Sequence, residues 1–270
     1  MTKRIGIICF SPTHTTKNIC SAVAVGMGAK EVQVIDMTRS KTRLEPSADI
    51  NTLIGKFDCV IVGSPVHSGK LPLLVLEYLR AMNGKGKEAI AIVVFGNRDY
   101  GIALYNMVEL LSKSGFSVNA AGAFIGQHSY SDIVPVALGR PDNLDMEKAR
   151  QFGIISLTAS GCLSLDDVPR HIDKISKSED YTSLKPVHDE KKCIQCGKCA
   201  KKCPGGLLAL ETGLYLNSEA KELCIGCMAC VKNCVQQAKK AKVNLIVKII
   251  MKMIFKKALR ERKEPLTIVA

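Results

Sequence analysis

Eight of the twelve cysteines in this 270-residue chain fall between Cys193 and Cys234, in two copies of one spacing. Lys192-Cys-Ile-Gln-Cys-Gly-Lys-Cys-Ala-Lys-Lys-Cys203 and Leu223-Cys-Ile-Gly-Cys-Met-Ala-Cys-Val-Lys-Asn-Cys234 align at an offset of 31 residues, each reading C-x-x-C-x-x-C-x-x-x-C. Three thiolates at two-residue gaps can each reach a different iron of a cubic core. The fourth, three residues on, opens a helix and points away, toward the core built by the other copy. The spacing predicts one 4Fe–4S cluster on Cys193, Cys196, Cys199 and Cys234, and a second on Cys224, Cys227, Cys230 and Cys203. Tetrahedral zinc is the competing reading, but it needs two cysteine pairs separated by a long loop and has no use for a triplet plus a three-residue step. Cys203 is followed by Pro204 and Cys234 by Val235, a difference that touches the turn after the ligand and leaves the ligand set intact.

Clustered free thiols imply a reducing compartment. The N-terminus, Met1-Thr2-Lys3-Arg4, runs straight into a strand-like segment without an apolar signal region, and no stretch of eighteen uncharged apolar residues occurs. A cytoplasmic location is expected. The four scattered cysteines, Cys9, Cys20, Cys59 and Cys162, read first as small packing residues. The net charge of +13 is uneven: residues 239–270 hold ten Lys/Arg and two Glu. The basicity belongs to the tail, so no nucleic-acid partner is expected.

The N-terminal half alternates strand and helix signals. Ile5–Phe10, Val32–Ile35, Cys59–Val62 and Ala89–Phe95 are short apolar runs of the kind buried on both faces of a parallel sheet, with a weaker run at Phe116–Ile125. Helix-length patterns lie at Ile19–Met27, Leu71–Met82, Ile102–Ser114 and Met146–Leu157. The expectation is an α/β domain, a doubly wound five-stranded parallel sheet over residues 1–175. A linker over 176–187, a small α+β domain with the two clusters over 188–238 and a basic amphipathic tail over 239–270 complete the division.

In such sheets ligands bind at the carboxyl ends of the strands, and phosphates where a strand gives way to a helix. Strand Ile5–Phe10 runs into Ser11-Pro-Thr13-His14-Thr15-Thr16, four hydroxyls in six residues, without G-x-G-x-x-G or a terminal Gly-Lys-Ser/Thr. Dinucleotide binding and NTP hydrolysis therefore have no support. Two further strand-end loops are Val62-Gly-Ser64-Pro65-Val66-His67-Ser-Gly69-Lys-Leu-Pro72 and Phe95-Gly96-Asn97-Arg98-Asp-Tyr100-Gly. At this point residues 3–165 resemble a flavodoxin. The first loop is similar to that family's Ser/Thr-x-Thr-Gly-x-Thr phosphate loop, with His14 where the family usually has glycine, and the other two resemble its ring-flanking segments. The resemblance implies FMN, with Ser11, Thr13, His14, Thr15 and Thr16 at the phosphate and Ser64, Pro65, Val66, His67, Gly69, Gly96, Asn97, Arg98 and Tyr100 around the ring. Tyr100 is the expected stacking aromatic, and His128, after the fifth strand, is weighed equally as a ring neighbour and as a plain loop residue.

Residues 188–238 resemble the bacterial two-cluster ferredoxins, and the whole chain is similar to the fused flavodoxin–ferredoxin family of anaerobic bacteria and archaea. That resemblance implies an electron-transfer protein moving electrons between two 4Fe–4S clusters, FMN and an unidentified redox partner protein or small-molecule acceptor. An FMN-dependent oxidoreductase acting on a quinone or similar molecule stays open, since no acid–base pair in the sequence singles out a catalytic residue. In Val243–Lys257, Lys248, Lys252 and Lys256 recur every four residues while Ile246, Ile249, Ile250, Met253 and Ile254 cover the opposing side. Three readings of residues 239–263 follow: a helix packed on the chain's own domains, one covered by a partner protein, or one lying on the anionic inner face of the cell membrane.

Overall fold

The computed structural model describes residues 3–44, 49–174 and 184–270. Five parallel strands, β1 (Arg4–Cys9), β2 (Glu31–Asp36), β3 (Cys59–Pro65), β4 (Glu88–Phe95) and β5 (Ser117–Ile125), stand in the order β2-β1-β3-β4-β5. The order reverses beside β1, where a ligand-binding crevice of a doubly wound sheet opens. Ile7, Val60, Ile61 and Ile92 are fully buried because helices cover both faces, which is why these strands are continuous apolar runs. On one face α1 (Thr15–Gly26) packs against α6 (Asn143–Ser156). A Cβ on Gly26 would fall 1.9 Å from the Arg150 carbonyl oxygen, and one on Gly153 2.2 Å from that of Val23, so two glycines set how closely the helices cross. The other face carries α3 (Ile50–Gly55), α4 (Leu73–Arg80) and α5 (Ala103–Lys113), while α2 (Ser40–Leu44) follows β2 in the chain.

The sheet has six strands, not five. After the cysteine repeat the chain returns and Leu266–Val269 (β8) pairs antiparallel with β5, matching Ala120 with Val269 and Ala123 with Leu266. The parallel core satisfies only one edge of β5, and β8 fills the other. The tail thus supplies an edge strand to the N-terminal sheet.

Between these two ends lies the repeat. A two-stranded ribbon pairs β6 (Val187–His188) with β7 (Lys239–Lys240) and closes it like a clasp. Helices α7 (Lys198–Lys201) and α9 (Ala229–Lys232) fall at equivalent positions, with α8 (Ser218–Glu222) between them. Left-handed backbone recurs at the same offset: Gln195 with Gly226, Gly197 with Met228, and Gly206 with Gln237. The repeat is one of conformation as well as of sequence. Helices α10 (Leu245–Ile254) and α11 (Lys256–Arg260) follow. Of the expected linker, residues 176–183 lie outside the described residues. Among the described residues no helix is long and apolar enough to cross a membrane.

Candidate functional site

Loops after β1, β3, β4 and β5 converge at the carboxyl edge of the sheet. In the first, Ser11 is buried: its N–H donates to Thr38 Oγ1 (2.7 Å) and its Oγ accepts from the Lys17 N–H (3.0 Å), fixing the entry to α1. His14 has φ 67°, a conformation that favours glycine, and its side chain is exposed. Thr16 is fully buried, and its Oγ1 has no partner in the protein. Thr13 and Thr15, at the N-terminus of α1, are only partly buried, which fits hydroxyls facing an anion held there.

After β3, Ser64 is buried and donates to the Pro65 carbonyl (3.1 Å). His67 and Lys70 close a tight turn with two backbone hydrogen bonds of 2.9 Å, through left-handed Ser68 and Gly69. The Gly69 carbonyl accepts from the Ile102 N–H (2.9 Å), which ties this turn to the loop after β4; a Cβ on Gly101 would fall 2.4 Å from that same oxygen. His67 Nδ1 is enclosed and without a partner, and burial pushes the imidazole down to about 4.

The loop after β4 departs from expectation at two residues. The Asn97 side chain, 3% exposed, donates to the carbonyls of Ala258 (2.8 Å) and Glu261 (2.7 Å) and accepts from Arg140 Nη1 (3.1 Å) and the Lys263 N–H (3.0 Å). Its hydrogen-bonding capacity is spent on the returning tail. Tyr100 is buried against Phe95 and His171 (ring centroids 5.7 and 4.7 Å) and faces the core. Asp99 accepts from the Gly101 N–H and from His171 Nδ1, both at 2.8 Å. Burial pushes its carboxyl up, but these bonds, the His171 charge and the Lys263 charge outweigh burial and hold it below the usual range. Around Asn97 an ion cluster anchors the tail: Arg140 pairs with Asp145 in the interior, and Arg262, at the surface, with Asp142 (2.7 Å) and Asp145 (3.1 Å).

After β5, His128 Nδ1 accepts from the Tyr130 N–H (3.1 Å), which leaves Nε2 as the protonated nitrogen of the neutral ring. Burial, helped by the Arg98 charge and by His67, pushes His128 down to about 4. Its ring lies 5.2 Å from Tyr130 and 4.8 Å, edge-on, from Phe255, while Arg98 stands over the Phe255 ring.

A cavity of about 1660 Å³ opens among these loops. Thr13, Thr15, Pro65, Val66, His67, Gly69, Gly96 and Arg98 line it as the sequence led one to expect, whereas Ser11, His14, Thr16, Ser64, Asn97 and Tyr100 stand behind or beside it. His128, weighed evenly from the sequence, lines it too, and Tyr130, Tyr215 and Phe255 supply rings that sequence reasoning did not assign. Ile225, Gly226 and Cys227, from the cysteine repeat, form part of the same wall.

The cysteines gather in two groups. Cys193, Cys196 and Cys199 line one small cavity together with Cys234, and Cys224, Cys227 and Cys230 line another together with Cys203. Each triplet thus meets the fourth cysteine of the other copy. Backbone N–H groups point at sulfur: Gln195 at Cys193 (3.4 Å), Leu207 at Cys203 (3.5 Å), and Ala238 and Lys239 at Cys234 (3.2 and 3.4 Å). Such donors favour thiolate, the form that binds iron. Burial, joined by the neighbouring Cys203, Cys224 and Cys199, pushes Cys230 up to about 12 against the charge of Lys239.

Residues 192–239 match the family model for the 4Fe-4S dicluster domain. This segment is a 4Fe–4S dicluster domain. Over 63 residues the chain is 43% identical to one subunit of the ion-translocating oxidoreductase complex of Pectobacterium atrosepticum; the match covers 22% of this chain and only 8% of that protein. Among solved structures, flavodoxin 1 from Bacillus cereus is similar at 22% identity and a TM-score of 0.41, over 56% of this chain and 94% of that one. A flavodoxin from the domain Archaea is similar at 19% identity and 0.41, again over 56% and 94%. The strand order of the sheet is itself that of the flavodoxin-like fold. The dicluster domain is therefore inserted between β5 and β8 of a flavodoxin-like sheet, and its Ile225 is buried in the core of that sheet's helical face.

Proposed function

We propose that this chain is an electron-transfer protein in which FMN sits on the loops after β1, β3 and β4 and two 4Fe–4S clusters sit on the crossed cysteine sets. One observation carries the reading: a single cavity is lined by Thr13, Thr15, His67 and Arg98 of the flavodoxin-like sheet and by Cys227 of the dicluster domain. When bound, FMN supplies a carrier of one or two electrons and each cluster a carrier of one. Thr13 and Thr15, which line the cavity at the N-terminus of α1, would hold the phosphate. The neutral imidazoles of His67 and His128 would flank the ring, and Tyr130 and Phe255 would keep water from it. Cys227 lines both this cavity and that of the second cysteine set, so a cluster held there would stand beside a flavin bound here. The first set lies beyond His188 and Lys239, and its Cys196 is exposed, a natural exit to an external redox partner. The matched relative's name marks it as part of a redox complex, which supports a relay role.

The cavity also supports a second reading, reduction of a bound small molecule such as a quinone. Its volume exceeds the roughly 300–1000 Å³ that ordinary ligand pockets offer. Anaerobic protein is expected to carry about eight irons per chain and to bind FMN more tightly than riboflavin. Thr15→Val is expected to weaken FMN about tenfold, on the order of 1.4 kcal/mol, and to leave riboflavin unchanged. Zinc in place of iron, or equal loss of both flavins, would sink this assignment.

A further inference from the structure

Helix α10 begins at Asn244, whose side chain accepts from the Val247 N–H (2.8 Å). Met251 of α10, the following Phe255 and Ala258 of α11 are buried against Ile133, Val134 and Val136. The opposite face is not covered. Leu245, Ile246, Ile249, Ile250, Met253 and Ile254 are each between 48% and 73% exposed. At 3.6 residues per turn they span a half-circle centred away from Met251 and Phe255, with Lys248, Lys252 and Lys256 along one edge. Six adjoining apolar side chains exceed the scattered apolar residues of an ordinary surface. The segment 244–260 holds five Lys/Arg and no Asp or Glu. A protein groove would ask only for the apolar ridge. A ridge edged by an unbroken row of cations suits an apolar layer beneath a sheet of negative charge. Ten residues of helix reach only about 15 Å, so α10 would lie in the plane of such a layer.

We infer that α10 seats the protein on an anionic phospholipid surface, inserting Ile246, Ile249, Ile250 and Met253 and setting Lys248, Lys252 and Lys256 among the headgroups. This does not rest on the FMN assignment. Ile254 and Phe255 line the inter-domain cavity, so the seated face adjoins its wall. Full-length protein is expected to co-sediment with equimolar phosphatidylcholine–phosphatidylglycerol vesicles and far more weakly with phosphatidylcholine alone. Each lysine near an anionic surface is worth about fivefold in partitioning, so K248Q/K252Q/K256Q is expected to lose on the order of a hundredfold. I246D/M253D is expected to abolish binding while iron content and thermal melting stay unchanged. Three results would overturn the inference: no binding to anionic vesicles at low salt, undiminished binding of I246D/M253D, or a dimer in sedimentation that I246D/M253D dissociates, since a second copy would then cover the face.

Discussion

Lys239 is a lysine with 2% exposure inside an iron–sulfur domain, and among the described residues no carboxylate pairs with it. Its ammonium stands over the Tyr215 ring at 5.6 Å, and its charge favours thiolate at both Cys199 and Cys230, one from each cysteine set. Lys239 Cε and Cys199 Sγ lie 3.9 and 2.8 Å from the point that a Gly213 Cβ would occupy, which puts them no more than about 7 Å apart. Two unit charges at that separation interact by about 2.4 kcal/mol at an effective dielectric of about 20. For a one-electron couple, at about 59 mV per tenfold, this is roughly 100 mV. An added electron spread over a whole cluster feels less, so Lys239→Met is expected to lower the potential of the Cys193-set cluster by about 50–100 mV. Lys239→Arg, which keeps the charge, should restore most of it. The assay is an anaerobic redox titration followed by electron paramagnetic resonance, on samples matched for iron. Unchanged potentials with full iron content would refute the placement of this charge between the clusters.

Three further outcomes follow from the geometry. Asn97→Ala removes four hydrogen bonds to the tail and to Arg140, worth about 1 kcal/mol each, so a loss of about 4 kcal/mol in denaturant unfolding is expected, with faster amide exchange in Leu266–Val269. A loss below about 1 kcal/mol would show that β8 is held by its strand pairing alone. Cys203→Ala should damage the cluster on Cys224, Cys227 and Cys230 and leave the other recognisable by spectroscopy; loss of the Cys193 cluster alone would reverse the ligand sets. His67 and His128 fall to about 4 in the folded chain against about 6.5 unfolded. The unfolded state takes up their protons first, so flavin-free protein should hold full stability above about pH 6.5 and lose it progressively toward pH 4. In His128→Phe that loss should shrink, and a flat profile in the parent protein would contradict the burial of both rings.

The parallel sheet was legible because burial on both faces turns each strand into an unbroken apolar run, as at Ala89–Phe95. The grouping of the thiols follows the three-residue step to Cys203 and Cys234, although these two residues come after the short helices α7 and α9 and do not open helices as the spacing argument expected. Leu266–Val269 was not legible. Four residues after a basic stretch carry no periodicity, and only the open edge of β5 makes them a strand. Tyr100 misled for a related reason: the motif puts an aromatic at the right strand end, but His171, seventy-one residues on, turns it inward. Phe255 and Tyr215 reach the cavity only because the inserted domain is tied to the sheet at both ends, and no local pattern announces that. His128 carried a usable signal, its place directly after β5.

Whether electrons pass between the two domains within one chain is decided by a kinetic measurement. Protein loaded with FMN and clusters would receive a single electron from a photoreduced donor under anaerobic conditions, and the redistribution between flavin and iron–sulfur absorbance would be followed over a range of protein concentrations. The shared wall of Cys227 and the flavin loops predicts a first-order rate independent of concentration. A rate that rises in proportion to concentration, or an electron that stays where it was delivered, would contradict it.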